Sequence, residues 1–204
     1  MERAAGALVA LLDQIEVGRC ALVGYSMGGR LALHLALRFS ERITHLALFG
    51  ASAGLVSPDE RNARAASDLD LAESIMRDGV EAFAERWEAL PMFESQRGLH
   101  PAIRESMRTQ RRAQDPERLA AALRAFGTGF QEPLHDRLRD LRIPTLIVAG
   151  ENDMKYARIA QEMAAAIPGA ECRIVPGAGH AVPLERPEEC AALIDRLVKG
   201  ATIE

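Results

Sequence analysis

The short apolar run Ala21-Leu22-Val23 leads into Gly24-Tyr25-Ser26-Met27-Gly28, and beyond it Met27, Leu31, His34, Leu35 and Arg38 recur at helical intervals. A GxSxG segment that closes a strand and opens a helix must turn sharply, and that turn lifts the serine hydroxyl clear of the backbone. Gly24 and Gly28 lack a β-carbon, so strand and helix are expected to approach closely around a serine held in a strained conformation. The pattern alone also marks ordinary tight turns. Its place between a strand and a helix gives it weight.

The rest of the chain repeats the strand–helix alternation. Leu8, Leu11, Leu12 and Ile15 share one helical face before Gly18, and Ile43 to Phe49 forms a second strand that completes a parallel β-α-β unit. The alternation returns late, with Thr145 to Ala149 as strand, Lys155 to Ala166 as helix, Cys172 to Val175 as strand and Glu188 to Val198 as helix. From about Leu55 to Leu141 the patterning is helical without a convincing strand, punctuated by Pro91, Pro101, Pro116 and Pro133. The expected class is α/β, a parallel sheet of about four strands with a helical lid insertion covering one end. Residues 1–54 would form the nucleophile-elbow part of the core, 55–141 the lid, and 142–204 the part of the core carrying an acid and a histidine.

Composition narrows the function classes. With 204 residues, 48% hydrophobic and 26% charged, the chain suits one soluble globular domain. No stretch reaches the roughly 18 to 20 apolar residues that cross a bilayer, and Glu2 and Arg3 do not open a basic-then-apolar leader, so the expected location is cytoplasmic. A formal charge of −4 offers no general attraction to nucleic acid. Cys20, Cys172 and Cys190 have no CxxC spacing, which argues against a disulfide framework or a zinc site, and no metal is expected.

A serine hydroxyl is a weak nucleophile and a weak base, so Ser26 needs an imidazole to take its proton and a carboxylate to orient that imidazole. Asp153, in Gly150-Glu151-Asn152-Asp153, follows the strand that ends at Ala149, where loops of a parallel sheet gather binding groups. His180, in Gly177-Ala178-Gly179-His180, follows the strand that ends at Val175. An aspartate there also suits a helix cap, and Glu151 is a competing acid. His34, His45, His100 and His135 lack a glycine-rich setting and read as packing or surface residues.

The order serine, acid, histidine is that of an α/β-hydrolase. The segments Gly24-Tyr25-Ser26-Met27-Gly28-Gly29-Arg30, Trp87-Glu88-Ala89-Leu90-Pro91-Met92-Phe93, Gly127-Thr128-Gly129, Gly150-Glu151-Asn152-Asp153-Met154-Lys155-Tyr156 and Gly177-Ala178-Gly179-His180-Ala181-Val182 carry a narrower resemblance. Nearly end to end, the chain resembles the 2-succinyl-6-hydroxy-2,4-cyclohexadiene-1-carboxylate synthases of menaquinone biosynthesis. The first and last segments are shared by many relatives, whereas the tryptophan-to-phenylalanine and Asp-x-Lys-aromatic segments are more particular.

The resemblance implies a carbon–oxygen lyase that eliminates pyruvate from a succinyl-cyclohexene carboxylate, without a cofactor. Ser26 would be the base, made competent by His180 and Asp153, and the Met27 N–H an oxyanion donor. The implied substrate is a small multiple anion, which suits guanidinium partners. From Arg97 to Arg124 the chain holds seven arginines against three acids. Matched by motif, Tyr25, Arg30, Arg64, Trp87, Phe93 and Arg108 become substrate contacts, although Trp87 and Phe93 also suit lid core and the arginines a solvated face. The alternatives are an esterase or carbon–carbon bond hydrolase with the same triad, and an inactive truncated remnant.

The chain departs from the family pattern ahead of the elbow. In relatives earlier strands bring a His-Gly loop whose N–H is a second oxyanion donor, and no such loop occurs here. Losing one such donor typically costs on the order of a hundredfold to a thousandfold in rate. Without those strands Ala21 to Gly24 would be an exposed edge, open to self-association. These departures lead to the expectation that the sequence is a fragment of a longer enzyme.

Overall fold

The computed structural model describes residues 1–200; residues 201–204, the end of the expected 142–204 segment, lie outside the described residues. In chain order the first elements are α1 (Glu2–Gln14), β1 (Cys20–Tyr25), α2 (Met27–Arg38) and β2 (Ile43–Phe49). Then come α3 (Pro58–Glu88), α4 (Pro101–Arg112) and α5 (Pro116–Phe126), followed by β3 (Thr145–Gly150), α6 (Met154–Ala166), β4 (Glu171–Val175), α7 (Val182–Glu185) and α8 (Pro187–Lys199). The chain divides into a sheet unit, Met1–Ala53 with Leu134 onward, and a helical unit, Gly54–Pro133.

The sheet unit is the doubly covered parallel sheet that its apolar runs foretell. The four strands are all parallel, in the order β1-β2-β3-β4. Side chains alternate across it with period two. Leu46, Leu48, Ile147 and Ala149 pack on one face with Leu33 of α2 and Met163 of α6, whereas Ala47, Phe49, Leu146 and Val148 pack on the other with Leu193 and Leu197 of α8. Helix α1 buries Ala5 in a smaller cluster with Leu35 and Ile43. Among the described residues β1 has β2 as its only strand neighbour.

Because the strands are parallel and each is followed by a helix or loop on the same rim, the turns after β1, β3 and β4 open at one edge of the sheet. Those turns contain Ser26, Asp153 and His180 respectively.

The helical unit has the prolines where helices can use them. Pro58, Pro101 and Pro116 each open a helix, behind Ser57, His100 and Asp115, whose side chains accept a backbone N–H from the first turn. Helix α3 breaks at Gly79, where φ is 83° and ψ is 170°. Asp78 beside the break pairs with both Arg77 and Arg86. The helical segment ends earlier than the sequence pattern placed it. Leu134, Leu138 and Leu141, assigned by periodicity to the segment 55–141, are buried in the core of the sheet unit. Their short 3₁₀ segment, His135–Asp140, reads as helical in sequence, and nothing local says which core receives it.

Helix α2 also carries a buried titratable group. His34 is enclosed, and its Nε2 has no hydrogen-bond partner among the described residues. Burial above all, then the amino-terminal amine, Arg137 and Arg30, against an opposing Glu2, lowers its pKa from 6.5 to about 4. Between those two values the unfolded chain binds more protons than the folded one, so stability is lost as pH falls through that window. Urea unfolding from pH 7 to pH 4.5 should show the wild type losing on the order of 2 kcal/mol more than His34→Leu. Equal losses would show that His34 titrates normally in the fold.

Candidate active site

The site begins at the turn between β1 and α2. Ser26 has φ 50° and ψ −114°, a left-handed conformation that costs a non-glycine residue of the order of 1–3 kcal/mol. Two bonds hold it there: its N–H donates to the Phe49 carbonyl of β2 at 2.8 Å, and its carbonyl accepts the Arg30 N–H at 3.0 Å. Close backbone approach makes the turn possible, at Gly24 as expected but at Gly29 rather than Gly28. A β-carbon on Gly24 would lie 2.6 Å from the Gly28 carbonyl oxygen, and one on Gly29 would lie 2.7 Å from the Ala51 β-carbon. At Gly28 a β-carbon would meet nothing within 4 Å. Gly28 faces outward from the turn, so the expectation that it permits the approach is corrected: that role belongs to Gly24 and Gly29.

The imidazole and the carboxylate meet the serine as the loop positions required. His180 Nε2 lies 3.0 Å from Ser26 Oγ, and His180 Nδ1 lies 2.7 Å from Asp153 Oδ2. Asp153 and His180 are buried, while Ser26 is half-buried at the open rim. Asp153 also caps α6, its Oδ1 accepting the Tyr156 N–H at 3.3 Å. The two functions a sequence offers for an aspartate here are therefore shared between its two oxygens. Glu151, the competing acid, points elsewhere and accepts the Gly177 N–H at 2.9 Å. The loops after β3 and β4 cross closely, and a β-carbon on Gly150 would collide with the Ala178 and Gly179 carbonyl oxygens.

Two aromatic rings flank the imidazole. Tyr25 has its ring centroid 5.5 Å from that of His180, and Tyr156 meets the imidazole edge-on at 4.6 Å. Tyr156 was visible in sequence only as the aromatic of the Asp-x-Lys-aromatic segment. Met27 contributes the first N–H of α2, one of the donors that a helix leaves without an intrahelical partner. Arg30, one helical turn past the serine, is buried.

The remaining expected contact residues lie in the helical unit. Arg64 Nε donates to Asp68 Oδ1 at 2.8 Å, and the buried Asp68 also accepts the Gly129 N–H through Oδ2 at 3.3 Å, which gives the Gly127-Thr128-Gly129 segment a structural purpose. Trp87 stacks between Phe83 and Phe93, with centroids 5.3 and 5.8 Å away, and Phe93 is buried. Arg108 Nε donates to one oxygen of Glu88 at 2.9 Å and Arg111 Nη1 to the other at 3.0 Å. Burial works to raise the Glu88 carboxyl, and the Arg108 and Arg111 hydrogen bonds overcome it, so the carboxyl sits below its ordinary range. Glu88, Phe93, Arg108 and Arg111 border a cavity of about 120 Å³ that Gln96 and Arg104 also line, whereas Arg64 and Trp87 do not line it. Asp68 and Glu88 carried no sequence signal of their own, since any acid on a helix reads as a solvated one.

The family profile of the alpha/beta hydrolase fold matches residues 1–187. A 2-succinyl-6-hydroxy-2,4-cyclohexadiene-1-carboxylate synthase of Salmonella paratyphi B is 32% identical over 192 residues, covering 94% of this chain and 72% of its own. MenH from S. aureus superposes with a TM-score of 0.94 at 36% identity, over 98% of this chain and 75% of its own. The chain belongs to this synthase family of the alpha/beta hydrolase fold. A Bacillus subtilis protein provisionally named as the same synthase is 40% identical over 180 residues, and the chain spans 88% of itself and 66% of that relative's length. No helix among the described residues is long and apolar enough to cross a membrane.

The glycine assignment of this synthase-family elbow has a direct consequence for mutants. Gly29→Ala should lower stability by about 1–3 kcal/mol through overpacking against Ala51. Gly28→Ala should be neutral or raise stability by up to about 1 kcal/mol, because it replaces a helical glycine in open space. Thermal melts of the two variants check the order, and a reversed order would return the close approach to Gly28.

Proposed function

We propose that this chain carries the reaction for which its family is named: elimination of pyruvate from a succinyl-cyclohexene carboxylate to give 2-succinyl-6-hydroxy-2,4-cyclohexadiene-1-carboxylate, in menaquinone biosynthesis and in the cytoplasm. The observation that carries this reading is the chain of contacts from Asp153 through His180 to Ser26 Oγ, at 2.7 and 3.0 Å. An imidazole that accepts the serine proton makes the oxygen basic enough to remove a ring proton beside a carbonyl. The electron pair left behind builds an enolate, for which the Met27 N–H is the donor within this chain. As the new carbon–carbon double bond forms, the carbon–oxygen bond to the three-carbon group breaks, the group leaves with the electron pair as the enolate of pyruvate, and it takes up a proton at carbon to become pyruvate, balancing the proton removed from the ring. No redox change or outside reactant is involved, which accords with a cofactor-free reaction.

The substrate carries several carboxylates, and bidentate guanidinium is their natural partner. Arg30, Arg64 and Arg108 are the guanidinium candidates in this reading, and Tyr25, Trp87 and Phe93 the aromatic ones. Arg64 is held by a carboxylate on one nitrogen, as a preorganised anion site would be. The outer edge of β1 is the surface through which the chain would self-associate. A second reading keeps the same relay and makes Ser26 a nucleophile toward esters or toward a carbon–carbon bond next to a carbonyl; the strained, rim-exposed serine suits it equally in geometry.

The readings separate in one assay. Purified protein is given the menaquinone precursor with pyruvate read through lactate dehydrogenase, and in parallel a p-nitrophenyl ester. The lyase reading expects pyruvate release that Ser26→Ala or His180→Ala lowers by about a thousandfold or more. Ester turnover with no pyruvate would replace it by the hydrolase reading. A folded protein inert toward both would be the inactive remnant.

A further inference from the structure

Five residues beyond His180, at the end of the short helix α7, sits a carboxylate that the relay does not use. Glu185 is only 7% exposed. Its Oε2 accepts the Gly179 N–H at 2.7 Å in a buried hydrogen bond, and its Oε1 accepts the Ala181 N–H at 3.2 Å. Those two amides bracket His180. No arginine, lysine or histidine forms an ion pair with Glu185 among the described residues; Arg186 next to it turns to backbone, donating to the Glu185 and Gly177 carbonyls at 2.8 and 3.2 Å. Burying a carboxylate without a cation is costly unless its oxygens are well bonded, and here backbone N–H groups supply those bonds.

The placement tells what the carboxylate does. A fork that accepts the amides on either side of one residue restrains that residue's φ and ψ from both ends, and so aims its side chain. His180 must satisfy two partners at once, Asp153 Oδ2 at 2.7 Å and Ser26 Oγ at 3.0 Å, from a glycine-rich turn that has no intrinsic stiffness. The ring contacts with Tyr25 and Tyr156 set its tilt, but they do not fix the backbone from which it hangs. Proton transfer is sensitive to such placement, since a shift of about 1 Å costs on the order of a hundredfold in rate.

We infer that Glu185 is a positioning residue for the relay: its carboxylate clamps the two amides around His180 and so holds the imidazole on Ser26 Oγ. The inference rests on the proposed role of Ser26 and His180, but not on the identity of the substrate.

The test therefore reads the serine itself. A fluorophosphonate reacts with Ser26 Oγ as fluoride leaves and the serine proton passes to His180 Nε2, whatever the natural substrate. Glu185→Gln keeps the shape of the side chain but leaves one oxygen to serve two amides, with an NH₂ facing the other N–H. The labelling rate of the folded fraction, measured well below the melting temperature, should fall by about ten- to a hundredfold, while Ser26→Ala abolishes labelling. An unchanged labelling rate in Glu185→Gln, with only a lower melting temperature, would overturn the inference and leave Glu185 a structural residue. Should that variant fail to fold, hydrogen exchange in the wild type decides: the Gly179 and Ala181 amides should be among the slowest of the 176–182 turn, and rapid exchange at both would overturn the clamp. A wild type that labels at Ser26 yet releases no pyruvate would count against the lyase reading alone, and the labelling rates of wild type and Glu185→Gln would still decide the clamp.

Discussion

A buried hydrogen bond of 2.7 Å between Asp153 Oδ2 and His180 Nδ1 is the contact on which the functional reading of this fold depends. It joins the loops after β3 and β4, it decides which imidazole nitrogen carries the proton, and it leaves Nε2 to face Ser26. The other oxygen of the same carboxylate caps α6. The side chain that orients the imidazole is thus itself oriented by a helix terminus, so the relay inherits the rigidity of the sheet unit. Ser26 arrives from the third direction, held at positive φ by the β2 carbonyl of Phe49 and by the first turn of α2.

The sheet explains how residues 26, 153 and 180 come to one place. Parallel strands deliver successive loops to the same rim, and the close strand order β1-β2-β3-β4 puts three chemically useful loops within side-chain reach. Backbone crowding is the cost of that convergence. It appears at Gly24, Gly29 and Gly150, each of which stands where a β-carbon would meet another segment. The helical unit is built on a different principle. Its arginines are engaged by acids of its own, Arg64 by Asp68 and Arg108 and Arg111 by Glu88, which orders guanidinium groups that would otherwise be long and mobile.

Much of this was legible in the sequence, for identifiable reasons. The four strands and the helices after them are apolar runs and helical periodicities of ordinary length, and observed bounds differ from the expected ones by a residue or two. Ser26, Asp153 and His180 could be named because each follows a strand in a short polar or glycine-rich turn. What failed or stayed hidden depends on contacts distant in sequence. Gly28 looks essential within GxSxG, yet only the packing of Ala51 shows that Gly29 is the residue without room. Leu134, Leu138 and Leu141 carry helical spacing without saying which core they enter. Asp68, Glu88 and Glu185 read as surface acids until their partners, up to 61 residues away in the case of Gly129 and Asp68, are known.

The most direct test of the relay is the proton on the imidazole. Nitrogen-15 NMR of histidine-labelled protein should show the neutral His180 ring protonated at Nδ1, with a strongly deshielded proton that disappears in Asp153→Ala. A ring protonated at Nε2 instead, or a spectrum indifferent to the loss of Asp153, would contradict the account at its base.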